Sequence, residues 1–115
     1  MSYMNTESLA ALFKTLSEPV RLRIVYLLLE SGELCVCDLV ETLGLSQSVV
    51  SRHLAYLRNN ALVSTRRESV WIYYRIVEGC CEPLFEHIRQ SGEANEEMQA
   101  DVARLKATGQ SQRCG

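Results

Sequence analysis

The sequence implies a mainly α-helical fold carrying one small β-hairpin. Apolar residues recur at helical spacing through most of the chain. Alternation of period two is confined to residues 63–66 and 70–76. The helical stretches are punctuated by Ser17-Glu18-Pro19, Ser31-Gly32, Gly44 and Asn59-Asn60, residue types that cap or break helices. A chain of 115 residues fits a single domain, expected over residues 1–108, with 109–115 as a flexible tail.

Asn5 and Thr6 can cap a first helix in which Leu9, Leu12, Phe13 and Leu16 share helical spacing. Pro19 suits the first turn of a second helix, with Val20, Ile24, Leu27 and Leu28 as its buried stripe and Ser31-Gly32 as its stop. Residues 34–43 make a short third helix, or an extended lead-in followed by one, with Leu39 and Leu43 inward and Gly44 at the end. Ser46 is a good N-cap for residues 46–60, where Val50, Leu54 and Leu57 fall at i, i+4 and i+7. Ser48, Ser51, Arg52 and Tyr56 lie off that stripe. In the hairpin, Ile72, Tyr74 and Ile76 share one face, and Trp71, Tyr73 and Arg75 the other. Arg66-Arg67-Glu68-Ser69 forms its basic tip. Glu82-Pro83 opens a last helical region with Leu84, Phe85 and Ile88 as one patch. Ser91-Gly92 weakens it, and Met98, Val102 and Leu105 resume the stripe.

Hydrophobic residues make up 47% and charged residues 23%, which excludes a collagen-like or disordered chain. No apolar run approaches the roughly 18 residues of a membrane span. Met1 to Ala10 lacks the basic start and apolar core of a signal peptide. No membrane partner and a cytoplasmic location are therefore expected. The net charge of −2 hides an uneven distribution. Residues 46–81 hold five arginines (Arg52, Arg58, Arg66, Arg67, Arg75) against Glu68 and Glu78, while both flanking blocks are net acidic. Arginine is the side chain suited to bidentate phosphate and guanine contacts.

Three helices, a tight turn, a helix with a polar outer face and a basic hairpin follow the winged helix-turn-helix order. The second helix of such a motif enters the major groove, which assigns that role to Ser46 through Asn60. Ser46, Gln47, Ser48, Ser51, Arg52 and Tyr56 are the expected DNA-facing residues. Gln47 can read an adenine edge, and Arg52 a guanine or a phosphate. Arg66 and Arg67 are expected along the DNA backbone. The plain alternative for this face is ordinary solvation; its combination with a basic hairpin favours DNA. The apolar stripes of residues 9–16 and 84–105 exceed what a three-helix core covers. A homodimer joined through both ends is expected, with two reading helices spaced for a palindromic operator.

The five cysteines stand as Cys35-Val36-Cys37, Cys80-Cys81 and Cys114. An odd count without a signal peptide argues for soft-metal binding or redox chemistry over a disulfide framework. Residues two apart diverge on a regular helix but point the same way in an extended segment. Cys35 and Cys37 can grip one ion if their stretch is extended or distorted at a helix start; otherwise they are two small core residues. Cys80 and Cys81, beside Gly79, form either a second thiolate site or a core pair closing the hairpin onto the last helix. Cys114 is a mobile ligand or an idle thiol.

The runs Leu34-Cys35-Val36-Cys37-Asp38-Leu39, Ser46-Gln47-Ser48-Val49-Val50-Ser51-Arg52-His53-Leu54 and Trp71-Ile72-Tyr73-Tyr74-Arg75 resemble the ArsR/SmtB family of metal-responsive repressors. The resemblance covers about residues 9 to 78, and the run from Glu33 to Leu39 is similar to the arsenical-resistance branch. It implies a homodimer, built by the first and last helices, that binds double-stranded operator DNA and lets go on binding arsenite or antimonite. It also implies Cys35 and Cys37 as metalloid ligands and no catalytic cofactor. Further ligands would come from Cys80, Cys81, Cys114 or an external thiol. Two departures stand out. Val40 occupies the position where the branch usually carries a third cysteine, and the wing tip lacks the usual glycine, which implies a looser wing loop. Zinc-sensing members pair histidines and carboxylates on the last helix, where only His87 is available here. His53 is expected to be packed or hydrogen-bonded.

Two rival readings remain: a redox- or sulfide-responsive thiol repressor on the same fold, and a small thiol reductase. A catalytic thiol wants a lowered pKa and a substrate pocket. The chain has no Gly-rich phosphate loop and no Ser/His/Asp set, so an enzyme is not expected.

Overall fold

The computed structural model describes residues 4–108, so the expected tail and Cys114 lie outside the described residues. Asn5 Oδ1 accepts from the Ser8 N–H at 2.7 Å and starts α1 (Thr6–Leu16). The Glu18 carboxylate accepts from the N–H groups of Val20 and Arg21 and starts α2 (Pro19–Ser31). Pro19 sits in its first turn, where a missing N–H costs nothing. The chain then extends as β1 (Leu34–Cys35) and turns at once into α3 (Val36–Leu43). Of the two readings of residues 34–43, the extended lead-in is the one found. Gly44, at φ 68°, closes α3. Ser46 Oγ accepts from the Val49 N–H at 3.3 Å and starts α4 (Gln47–Asn59). The wing is β2 (Val63–Glu68) and β3 (Trp71–Ile76), followed by α5 (Glu82–Glu93) and α6 (Glu96–Thr108).

The sheet has the order β1-β3-β2, with Leu34 opposite Tyr74 and Cys35 opposite Tyr73. A two-residue strand is too short to show alternation, so the sequence pattern gives no sign of it. The wing register runs from Val63 opposite Ile76 to Glu68 opposite Trp71, which leaves only Ser69 and Val70 in the turn. The expected four-residue tip and loose loop therefore do not form. Arg66, Arg67 and Glu68 are strand residues, and Ser69 takes the left-handed conformation at φ 59° that a tight hairpin turn requires. A side-chain-bearing residue adopts it at a cost of roughly 1–2 kcal/mol.

α2 is the central helix. Ile24, Leu27 and Leu28 of the expected stripe are buried and Val20 is half-buried, but Val25 and Tyr26 are buried as well, so the apolar face is wider than one stripe. α1, α4, α5 and α6 pack around it, which widens its apolar face, while Arg21, Arg23 and Glu30 keep the rest of its surface polar. Gly92 does not break the last helix either. A Cβ there would lie 2.2 Å from the Tyr26 ring, so it is glycine's smallness that lets α5 settle on α2. The break falls at residues 94–95, where Asn95 Oδ1 accepts from the Met98 N–H and starts α6. Leu105 is 2% exposed and belongs to the protomer's own core. Leu9 and Phe13, one turn apart on α1, are 44% and 55% exposed. Buried Asp101 accepts two hydrogen bonds of 2.9 Å from Arg23 and another from Arg104. Arg104 Nε also donates to the Thr42 carbonyl at 2.9 Å, which fastens the C-terminal end of α3 to α6.

Candidate metal centre and nucleic-acid interface

Cys35 is both the last residue of β1 and the N-cap of α3, with an extended backbone (φ −93°, ψ 169°). Cys37 lies in the first turn of α3. This junction of strand and helix brings two thiols of i, i+2 spacing together, Sγ to Sγ at 2.8 Å. Asp38 Oδ2 accepts from the Cys35 N–H at 3.2 Å and from Cys35 Sγ at 3.3 Å. Among the described residues, Cys35, Cys37 and Asp38 are the one group of three or more His, Cys, Asp or Glu whose ligand atoms converge, all within 4.8 Å. Cys35 and Asp38 are buried and Cys37 is half-buried. Two sulfurs suit a soft trivalent metalloid, whereas the hard carboxylate is engaged with Cys35.

A pocket of about 490 Å³ opens over the thiols. Its walls are Val36, Val40 and Glu41 of α3, Gln47 of α4, and Val70, Trp71 and Ile72 of the wing. Three parts of the DNA-binding motif thus meet at one cavity. The apolar wing wall and the Asp38 cap are absent from the sequence-derived site. The Asp38 cap had a local signal, a carboxylate three residues past an N-cap. The wing wall depends on the pairing of β1 with β3 and had none.

Cys80 and Cys81 stand at the start of α5 with their sulfurs 2.7 Å apart. Cys80 is exposed and Cys81 is packed in the core. Burial pushes the Cys81 thiol up to about 12, and the hydrogen bond with Cys80 adds to it. A thiol held protonated is a poor ligand. Neither residue joins the Cys35–Cys37–Asp38 group.

On α4 and its cap, Ser46, Gln47, Ser48 and Arg52 are exposed, while Ser51 and Tyr56 are half-buried. The Ser46 hydroxyl is used in the cap. Arg21 lies 4.1 Å over the Tyr56 ring, with Nη1 3.4 Å from His53 Nδ1 and Nε donating to the Thr15 carbonyl. Tyr56 and His53 thus anchor α4 to the junction of α1 and α2. In the wing, Arg66 makes a bidentate pair with Glu33 at 2.8 and 2.7 Å. It also bonds Glu68 at 2.6 Å and lies 4.6 Å over the Tyr73 ring. Arg66 in turn holds the Glu33 carboxyl below its usual range. Arg67 is exposed and enters no ion pair among the described residues.

Residues 18–65 match the family described as "Bacterial regulatory protein, arsR family". The chain is 42% identical over 95 residues to the arsenic resistance transcriptional regulator ArsR2 of Pseudomonas putida, spanning 82% of this chain and 83% of that one. The solved structure of the AntR antimony-specific transcriptional repressor superposes with a TM-score of 0.66 at 30% identity, over 84% of this chain and 90% of its own. The homodimeric winged helix-turn-helix DNA-binding domain Mb0332 of Mycobacterium bovis, a possible ArsR-family regulator, gives 0.67 at 26% identity, over 84% and 94%.

Proposed function

The chain belongs to the ArsR family of bacterial regulatory proteins, DNA-binding transcriptional regulators and not enzymes, and we propose that it represses an arsenic-resistance operon as a cytoplasmic homodimer. Trivalent arsenic or antimony releases it from its operator by binding Cys35 and Cys37. The observation that carries this reading is the pair of sulfurs 2.8 Å apart in a pocket walled by α3, α4 and the wing. The hydroxide form of the metalloid exchanges its oxygens for sulfur, and each thiol proton leaves with a hydroxide as water. Cys114 or an external thiol meets the third position of inorganic arsenite, since Cys80 and Cys81 lie outside the group.

Release follows from where the thiols sit. Cys35 pairs with Tyr73 in the sheet, Cys37 is in the first turn of α3, and Gln47 forms the facing wall. Arg104 holds the far end of α3 at Thr42, so displacement concentrates at the thiol end. Gln47, Ser48 and Arg52 are the base-reading residues in this scheme, and Arg67 is the wing contact with phosphate. A second copy covers Leu9 and Phe13, the exposed apolar face of α1. No helix among the described residues is long and apolar enough to cross a membrane.

Fluorescence anisotropy on a labelled duplex from upstream of the protein's own operon tests this. Cys35→Ser with Cys37→Ser should bind that DNA like the parent and ignore arsenite. Cys80→Ser with Cys81→Ser should keep at least partial release. Survival of release in the first variant and its loss in the second would move the sensor to α5. Intact mass after exposure separates bound arsenic from the loss of two hydrogens that a disulfide signal would give.

A further inference from the structure

We propose that the pocket over Cys35 and Cys37 is built for a monosubstituted trivalent arsenical, R–As(OH)₂, in which R is an aryl group. The inference rests on the thiol-sensing reading above and specifies its ligand. A single metalloid atom bridging two sulfurs needs only the space between them. The cavity of about 490 Å³ falls instead within the roughly 300–1,000 Å³ of small-molecule sites. Its walls beyond the thiols are chiefly apolar: Val36, Val40, Val70, Trp71 and Ile72.

Valence points the same way. Trivalent arsenic has three bonds, and the converging group offers two sulfurs. The third bond meets a cavity whose α3 wall at position 40 is valine, which can pack against carbon but cannot bind arsenic. Val70 is 75% exposed, and Trp71 and Ile72 are 36% and 37% exposed. Three adjacent apolar residues at a wing tip, next to a thiol pair, are an incomplete apolar surface. An aryl ring on arsenic completes it and gains an aromatic neighbour in Trp71. The reaction is balanced without redox. Two As–O bonds break, two As–S bonds form, the two thiol protons leave with the hydroxides as two waters, and arsenic stays trivalent. The ring then stands between the wing tip and Gln47, so the substituent itself separates two DNA-facing elements.

The test uses the full chain carrying Cys80→Ser, Cys81→Ser and Cys114→Ser, with phenylarsonous acid, methylarsonous acid and sodium arsenite as probes. Trp71 is the one tryptophan, so its fluorescence reads the pocket directly. Phenylarsonous acid should bind one per protomer, change Trp71 emission, and bind at least about tenfold tighter than methylarsonous acid, from the apolar area of the ring. A bare dithiol would treat these two alike. Val70→Ser with Ile72→Thr, at exposed positions, should remove most of the preference for phenyl over methyl. Equal phenyl and methyl affinities in the parent overturn this proposal and leave thiol sensing standing. Binding of any probe that survives Cys35→Ser with Cys37→Ser, or no binding in the parent, overturns the thiol reading together with it.

Discussion

Asp101 and Glu33 each tie together segments far apart in sequence through arginine, but in opposite surroundings. The Asp101 side chain is 1% exposed and gathers Arg23 of α2 and Arg104 of α6, which in turn reaches α3. Glu33 lies just before β1 and pairs with Arg66 of the wing, whose side chain is 47% exposed. A buried charge cluster that loses one member leaves the others uncompensated, whereas water stands ready to replace an exposed partner. The two ends of α3 are therefore held differently. Its C-terminal end is tied through Arg104 to a buried carboxylate, and the lead-in to its thiol-bearing end is tied through Arg66 to a half-buried one. A sensor needs this asymmetry, because binding energy at the thiols then goes into moving the wing and α4 and not into dragging α6.

The largest expected effect breaks the clamp. Asp101→Ala should lower unfolding stability by about 3–5 kcal/mol, since Arg23 is left largely buried without its acceptor. The urea midpoint measures it. Glu33→Gln should shift that midpoint by no more than about a quarter as much. Equal shifts would mean that the two ends of α3 are held alike and would remove the mechanical argument for release.

The contrast between these clusters explains what the sequence could and could not reveal. The helices were legible because their caps are local: Asn5, Pro19, Gly44 and Ser46 each act within a few residues of themselves. The i, i+2 thiols were legible as a pair that needs an extended stretch, and Cys35 supplies it. Contacts over long separations were not. Arg66 reads as a DNA contact until Glu33, 33 residues away, is placed beside it. Leu105 reads as part of a dimer stripe until α2 and α3 enclose it. Gly92 reads as a weak point in the last helical region because the Tyr26 ring that requires a missing Cβ is on another helix.

A second expectation sharpens the same contrast at the other thiol pair. Cys81 is packed in the core, with its thiol pushed up to about 12 by burial. Iodoacetamide at pH 8 should alkylate it at least about a hundredfold more slowly in the native protein than in urea. The rate should climb as pH rises toward that value. A raised thiol pKa favours the fold below the ordinary value of 9.0, and that contribution is lost as pH rises from there to about 12. Rapid native alkylation of Cys81 would place it with the responsive end instead.

In the wing the contrast runs between neighbours. Arg67→Ala should weaken binding about tenfold on every DNA sequence and lower the salt slope by about one. Arg66→Ala should change affinity by less than about threefold, because its guanidinium is occupied by Glu33 and Glu68. A salt slope that falls equally in both would show that Arg66 leaves Glu33 when DNA arrives.

The smallest effect, and the one that isolates the exchangeable end of α3, is the pH dependence of Glu33→Gln. Arg66 holds the Glu33 carboxyl below its usual value of 4.5, so the carboxylate contributes stability above that pH. The contribution fades as pH falls through the lowered native value, where the pair is protonated apart. Parent and variant should therefore differ slightly in urea midpoint at neutral pH and converge on acidification. Asp101→Asn serves as the reference, with a larger gap at neutral pH. The thiols should feel the change too. Glu33 precedes β1 directly, so losing its hold on Arg66 removes one tie between the wing and the strand that carries Cys35, which stays paired with β3. Arsenite should then release Glu33→Gln from DNA at a concentration a few-fold lower than it needs for the parent, with metal-free affinity nearly unchanged. An unchanged arsenite threshold alongside the expected pH convergence would leave Glu33 as a tie within the wing that sensing does not use.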